Sequence, residues 1–279
     1  WGVRQYPEAL SFMVKHKLYW LFLFPLVFNF LLFYFGFSAV NQVSTFVVEW
    51  IKSYIDFDGF GEDTTGFFNV LLEVGLWILF KIMFLFLYAY IGGYVVIIFL
   101  SPFLSYVSEL AERKNGGNIP KFKLGDFFKN IFRGVVIALR SFFYQTIISA
   151  FILMLGFVPI VNFSVPILLF VVSAFFYGFS FMDYFLERRI SSISESVDYI
   201  KKHRIITTSL GLPFVFVLAI PYIGSFLAGF VTIVGTIAAT ISLMEEEKLQ
   251  ITKLAWETAG VRSVKNDIKI KEEFNFKQF

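Results

Sequence analysis

The sequence predicts an all-α integral membrane protein: two long transmembrane helices, two proline-turn helical hairpins that enter the bilayer only part way, and cytoplasmic or interfacial helices. Three observations predict this. Mean hydropathy is +0.72, with 57% hydrophobic and only 16% charged residues, against about 25% charged in soluble domains. Apolar residues come in long runs followed by amphipathic stretches, not in the roughly ten-residue alternation of a barrel. Two of the runs break at turns that carry proline and no charge, Pro159-Ile-Val-Asn162-Phe-Ser164-Val-Pro166 and Pro221-Tyr-Ile-Gly224-Ser225.

In chain order, Trp1 to Met13 is short and interfacial, with Pro7 able to start a helix. Leu18 to Val40 is a run of 23 residues without a charge, enough to cross hydrocarbon with some tilt. Lys15, His16 and Lys17 precede it, whereas Asn41 to Gly75 carries Glu49, Asp56, Asp58, Glu62, Asp63 and Glu73 against a single Lys52. The positive-inside rule therefore puts the N-terminus in the cytoplasm. Val43 to Ile55 suits a short surface helix, and Asp58 to Gly61 a turn.

The second crossing runs from Leu76 to Leu100 and ends at Ser101-Pro102-Phe103. Lys81 near its outer end can lift its ammonium to the interface, and Gly92-Gly93 lets a neighbouring helix approach. Tyr106 to Arg140 holds seven basic and three acidic residues, which again reads as cytoplasmic. Within it Phe128, Ile131, Phe132, Val135, Val136 and Leu139 share one helical face while Lys129, Arg133 and Arg140 take the other, as in an interfacial helix or the entry of the first hairpin.

The hairpin arms Phe143 to Val158 and Ile205 to Ile220 hold sixteen residues apiece, at or under the roughly 17–25 needed to cross. At membrane depth the first N–H groups of each outgoing helix need partners. Asn162 and Ser164 at one tip, and Gly224 and Ser225 at the other, suit N-cap positions. The alternative is that two helix starts with partial positive charge form part of an anion path, as in transporters built from broken helices.

Between the hairpins, Ser192-Ile-Ser-Glu195 has capping-box spacing and starts a helix through Ile200, closed by Lys201, Lys202, His203 and Arg204. These cations set topology or attract anionic lipid or solute. Glu245, Glu246 and Glu247 lead a helix to Gly260, so residues 1–260 form the membrane domain and 261–279 a polar tail. That tail alternates at Ile268, Ile270, Phe274 and Phe276; it is either frayed or pairs with a partner or a second copy.

The absence of cysteine excludes disulfides and thiolate chemistry, and His16 and His203, each flanked by basic residues, make poor metal ligands. No serine-hydrolase, zinc-protease, phosphate-loop or dinucleotide motif is present. Neither an enzyme, a cofactor nor a nucleic-acid partner is expected.

Phe24-Pro25-Leu-Val-Phe-Asn29, Ser101-Pro102-Phe103 with Glu109, Asp183-Tyr184, and Gly211-Leu-Pro213 through Pro221-Tyr-Ile-Gly224 together resemble the bacterial CysZ family, grouped with the etoposide-induced protein 2.4 membrane proteins. The resemblance covers about Met13 to Met244. It implies two spanning helices, two partly penetrating helix pairs, oligomeric assembly, and sulfate uptake across the bacterial inner membrane. The family's Gly-Leu-Arg-Arg segment corresponds here to Lys17-Leu18-Tyr19-Trp20, which leaves the charge at this place to Lys15, His16 and Lys17, without the bidentate fork of arginine. The expected function is permeation of sulfate or a related oxyanion, with Lys15, His16, Lys17, Asn162, Ser164, Gly224 and Ser225 on its path. The alternative is a non-transporting membrane scaffold that binds a protein through its tail.

Overall fold

The computed structural model describes residues 2–31, 97–117, 124–158, 161–190, 192–220 and 223–257, with scattered helical positions between 34 and 82. The turn Asp58–Gly61, Lys81, Gly92–Gly93, Pro159, Pro221 and the tail 261–279 lie outside them, as do most of Val43–Ile55 and of Leu76–Leu100. Two compact units are present, Trp1–Pro25 with Tyr94–Phe279, and Leu26–Gly93. In the second, helix is described at Leu71, Gly75, Trp77 and Ile82 among others.

The larger unit is built from α1 (Gln5–Lys15), the part of α2 (Leu18–Leu31, opening as a 3-10 turn) up to Pro25, α3 (97–114), α4 (Leu124–Leu155), α5 (Val165–Leu186), α6 (Ile193–Lys202), α7 (Arg204–Leu218) and α8 (Gly224–Glu257). Among the described residues there is helix and turn but no strand. Phe132–Leu155, Asn162–Leu186 and Phe226–Trp256 are long and apolar enough to cross a membrane, at 24, 25 and 31 residues.

Those lengths revise the first of the two expected sixteen-residue arms. The stretch from Phe128 to Leu139 is not a separate interfacial helix but runs unbroken into the first arm, because its 3.6-residue periodicity continues with no proline to interrupt it. The second expected arm, α7, is fifteen residues long with Pro213 inside it and stays short of a crossing, as expected. The helix that opens the charge-free run at Leu18 meets the N-terminal helix at a bend of 111°. His16 and Lys17 make that bend, and Lys17 adopts a left-handed conformation at φ 55°.

Helices α5 and α8 form the centre. The second half of α5 is buried on every side from Phe176 to Leu186, as is α8 from Ile233 to Met244. Helix α7 lies against α5 through two glycines. A Cβ on Gly178 would sit inside the carbonyl of Thr207, and one on Gly211 inside the carbonyl of Ala174, so the backbones touch directly, the close approach that small residues permit between membrane helices. Tyr177, Phe181 and Phe214 fill the space beside this crossing. Helix α1 docks on the outer side: the Tyr6 hydroxyl donates to the Leu210 carbonyl at 2.6 Å, Gln5 donates to Glu245 at 3.0 Å, and the absent side chain of Gly235 makes room for the Tyr6 hydroxyl, 2.8 Å from where a Cβ would be.

Candidate functional site

At the α5 C-terminus the sequence places Asp183, Glu187, Arg188 and Arg189 within two turns. Asp183 and Glu187 share a face at i,i+4 spacing, where like charges repel unless cations intervene. The cations come from both sides. Arg133 of α4, 7% exposed, meets Asp183 through Nη2 at 3.1 Å; the same nitrogen donates to Ser196 of α6 at 2.6 Å, and Nη1 donates to the Ile190 carbonyl at 2.5 Å. Arg188 pairs with Glu112 of α3 at 2.8 Å while donating to Ser108 at 2.9 Å and to the Tyr184 carbonyl at 2.6 Å. Arg189 bridges Glu112, at 2.5 Å, to Glu247 of α8, its guanidinium 3.9 Å above the Phe185 ring. Ser108 also meets Thr240 of α8 at 2.8 Å.

Three guanidiniums thus face the carboxylates of Asp183, Glu112 and Glu247, which leaves Glu187 without a cation of its own. Burial works against ionisation of Glu112, but Arg188 and Arg189 outweigh it and hold its pKa below the usual carboxylate range. Glu187 goes the other way: burial, with Asp183 adding repulsion, outweighs Arg188 and pushes its pKa up to about 8. Ser105 donates to one of its oxygens, and the other, Oε2, is buried with no partner among the described residues. The cluster is neutral with Glu187 protonated.

That state has a measurable signature. A folded pKa raised from the ordinary 4.5 to about 8 means the folded state holds a proton that the unfolded chain releases, so this group's contribution is full below about 4.5 and is lost as pH rises through about 8. Glu187→Gln keeps the neutral shape and removes the titration. Its melting temperature is expected to match the parent near pH 5 and to exceed it progressively toward pH 8.5. Parallel pH profiles of the two proteins would show that Glu187 is ionised throughout.

The cluster as a whole locks α3, α4, α5, α6 and α8 at one end. Beside it, His203 at the α6–α7 junction meets Glu246 at 2.9 Å, and that hydrogen bond raises the imidazole pKa despite partial burial. Helix α6 begins at the expected place, with Ser192 in extended conformation, yet the Ser192 side chain makes no capping bond.

None of the residues expected on an anion path belongs to this cluster. Lys15 closes α1 and is exposed, His16 packs at 4.4 Å on Phe12, and Lys17 is exposed at the start of α2. The first turn of α2 has no side-chain cap. Lys17 stands where the motif of the resembling family has glycine, and a left-handed position is one that glycine fills at no steric cost.

At the α4–α5 tip the expected caps do not form. Asn162 to Ser164 is a 3-10 turn leading straight into α5, with Ser164 N–H bonded to the Val161 carbonyl at 2.8 Å and no side-chain cap. Pro166 in the first turn also removes a donor that would need one. Both Asn162 and Ser164 are exposed. Gly224 is buried against the end of α7, where a Cβ would overlap the Val217 carbonyl; the side chain of Ser225 lies outside the described residues. No hydrogen bond or ion pair among the described residues joins Lys15, His16 or Lys17 to either tip.

Sequence reading missed the cluster as a unit. Arg133, on the helical face opposite the apolar residues, is buried, and Glu112 is one of the three acidic residues of the loop expected in the cytoplasm. The available signal was the pair of arginines following two carboxylates one turn apart at an apolar helix end, a density of charge that a buried helix tolerates only when paired.

The model of the family described as sulfate transporter CysZ/etoposide-induced protein 2.4 matches residues 6–241. Among curated proteins none matches the chain.

Proposed function

The chain belongs to the sulfate transporter CysZ/etoposide-induced protein 2.4 family, and from that premise we propose that this multi-pass membrane protein carries sulfate or a related oxyanion across the bacterial inner membrane, with both termini cytoplasmic. The observation that supports it best is the break between α1 and α2. There a helix start without a side-chain cap, which carries partial positive charge, lies within three residues of Lys15 and Lys17, both exposed. Together they are suited to an anion in passage: point charges on flexible stems attract it, and without the arginine fork they let it go. His16 adds charge when protonated.

Holding Lys17 left-handed costs on the order of 1–2 kcal/mol against glycine. The position retains the ammonium at that cost. Asn162 and Ser164, whose side chains cap nothing, are assigned with Gly224 and Ser225 to the mouth of the same path at the hairpin tips. The charge cluster is assigned no direct part, because its guanidiniums are already matched by carboxylates and an incoming anion would have to displace one of them.

In proteoliposomes, uptake of labelled sulfate is expected to exceed that of empty vesicles and to fall about tenfold or more in Lys15→Ala/Lys17→Ala, the loss of two charge-assisted contacts. Uptake no faster than empty vesicles would overturn transport and favour a scaffold that holds a partner through residues 261–279. Full uptake in the double variant would move the anion site elsewhere in the chain.

A further inference from the structure

An open groove of about 730 Å³ lies between α4 and α7 with α5 as its floor, within the range of about 300–1,000 Å³ typical of ligand clefts. Its walls are apolar: Ile148 from α4, Val171, Val172 and Phe175 from α5, and Ile205 from α7. Lys201 and Arg204 stand at the end where α6 passes into α7. The floor and the α7 wall are held at fixed separation by the Gly178–Gly211 crossing, so the groove is a preformed feature of the bundle.

Polarity along the groove is one-sided. Ile148, Val171 and Ile205 are exposed, and in a membrane protein such surface meets hydrocarbon. Both cations are exposed too, and neither lies within ion-pair distance of a carboxylate among the described residues. Thr208 and Ser209 complete the lining, but their hydroxyl protons go to the carbonyls of Arg204 and Ile205 at 2.8 Å each. They offer oxygen acceptors and no donor, so an anion here is held by the two cations, while hydroxyls on its headgroup can donate to Thr208 and Ser209.

Cations at one end, acceptors beside them and hydrocarbon beyond match one molecule of acidic lipid. We propose that this groove binds an acidic glycerophospholipid, with its phosphate at Lys201 and Arg204 and an acyl chain laid over Ile148, Val171, Val172 and Phe175. Phosphatidylglycerol, whose headgroup carries hydroxyl donors, fits the lining best. Basic side chains between membrane helices are a general means of holding such headgroups. The site stands apart from the transport reading, and lipid occupancy is read without any flux.

The test is to titrate the purified, delipidated protein in detergent with phosphatidylglycerol and, separately, phosphatidylcholine, counting bound lipid by native mass spectrometry. Saturable binding is expected, with a preference of about tenfold or more for phosphatidylglycerol from two juxtaposed cations. Lys201→Gln/Arg204→Gln should abolish the preference and Lys201→Arg keep it. Val171→Trp fills the groove while sparing both cations and should lower occupancy by either lipid.

Equal binding of the two lipids, or a preference that survives the double glutamine variant, would overturn the proposal. So would displacement of phosphatidylglycerol by an equal concentration of sulfate, which would mark a free-anion site. Loss of an oligomer in Val171→Trp with lipid count unchanged would make the groove a contact between copies. Unchanged melting curves identify variants that remain folded.

Discussion

Gly178→Ala is expected to unfold the bundle or lower its stability by about 3 kcal/mol or more, the upper end for a side chain forced into a packed interface. The added carbon falls inside the Thr207 carbonyl, and backbone atoms of Thr207 and Gly211 lie around it. No rotamer relieves an overlap with main chain, so α5 and α7 must separate and uncover Phe181 and Phe214. Gly75→Ala is the matched control, since nothing lies within 4 Å of its added carbon. In a helix that change should be neutral or stabilise by up to about 1 kcal/mol. Thermal unfolding of the two variants in detergent decides the point. A Gly178→Ala protein that melts with the parent would mean the helices do not cross at this glycine.

The second large effect is expected at Arg133. Arg133→Met leaves the buried carboxylate of Asp183, 3% exposed, without its cation, and removes donors from the Ile190 carbonyl and Ser196. Breaking one side of a buried pair costs about 3–5 kcal/mol. The informative variant is Arg133→Met/Asp183→Leu, which removes both charges. It should recover a large part of that loss, because the penalty lies in the unpaired ion and not in the missing attraction. Equal melting temperatures for the single and double variants would show that Asp183 does not depend on Arg133.

Much of the architecture was legible in the sequence because it rests on local pattern. Apolar runs, the helix opening at Ser192 and the residues from Phe24 to Gly224 that carry the family resemblance needed no knowledge of contacts. The family assignment itself is borne out over residues 6–241. What could not be read depends on separation in the chain. Arg133 finds Asp183 across 50 residues and Arg189 finds Glu112 across 77, and no periodicity encodes such pairing. The break at Lys17 was hidden for another reason: a left-handed residue is announced by glycine or asparagine, and here a lysine takes the position. Gly178 was silent as well, because a glycine that allows contact looks in sequence like any other small residue until its partner Gly211 is opposite it.

The docking of α1 sets an order on biosynthesis. Tyr6 closes its hydrogen bond on a carbonyl 204 residues further along the chain, which does not exist until α7 has been translated. At about 5–20 residues per second, that is a wait of roughly 10 to 40 seconds during which the first helix has neither Leu210 nor Glu245 to hold. Helices α5 and α7, near in sequence and joined through α6, can meet early. The N-terminal segment is then the last part of the bundle to settle, and it becomes the part whose premature capture by the bilayer or by a chaperone would govern the yield of assembled protein.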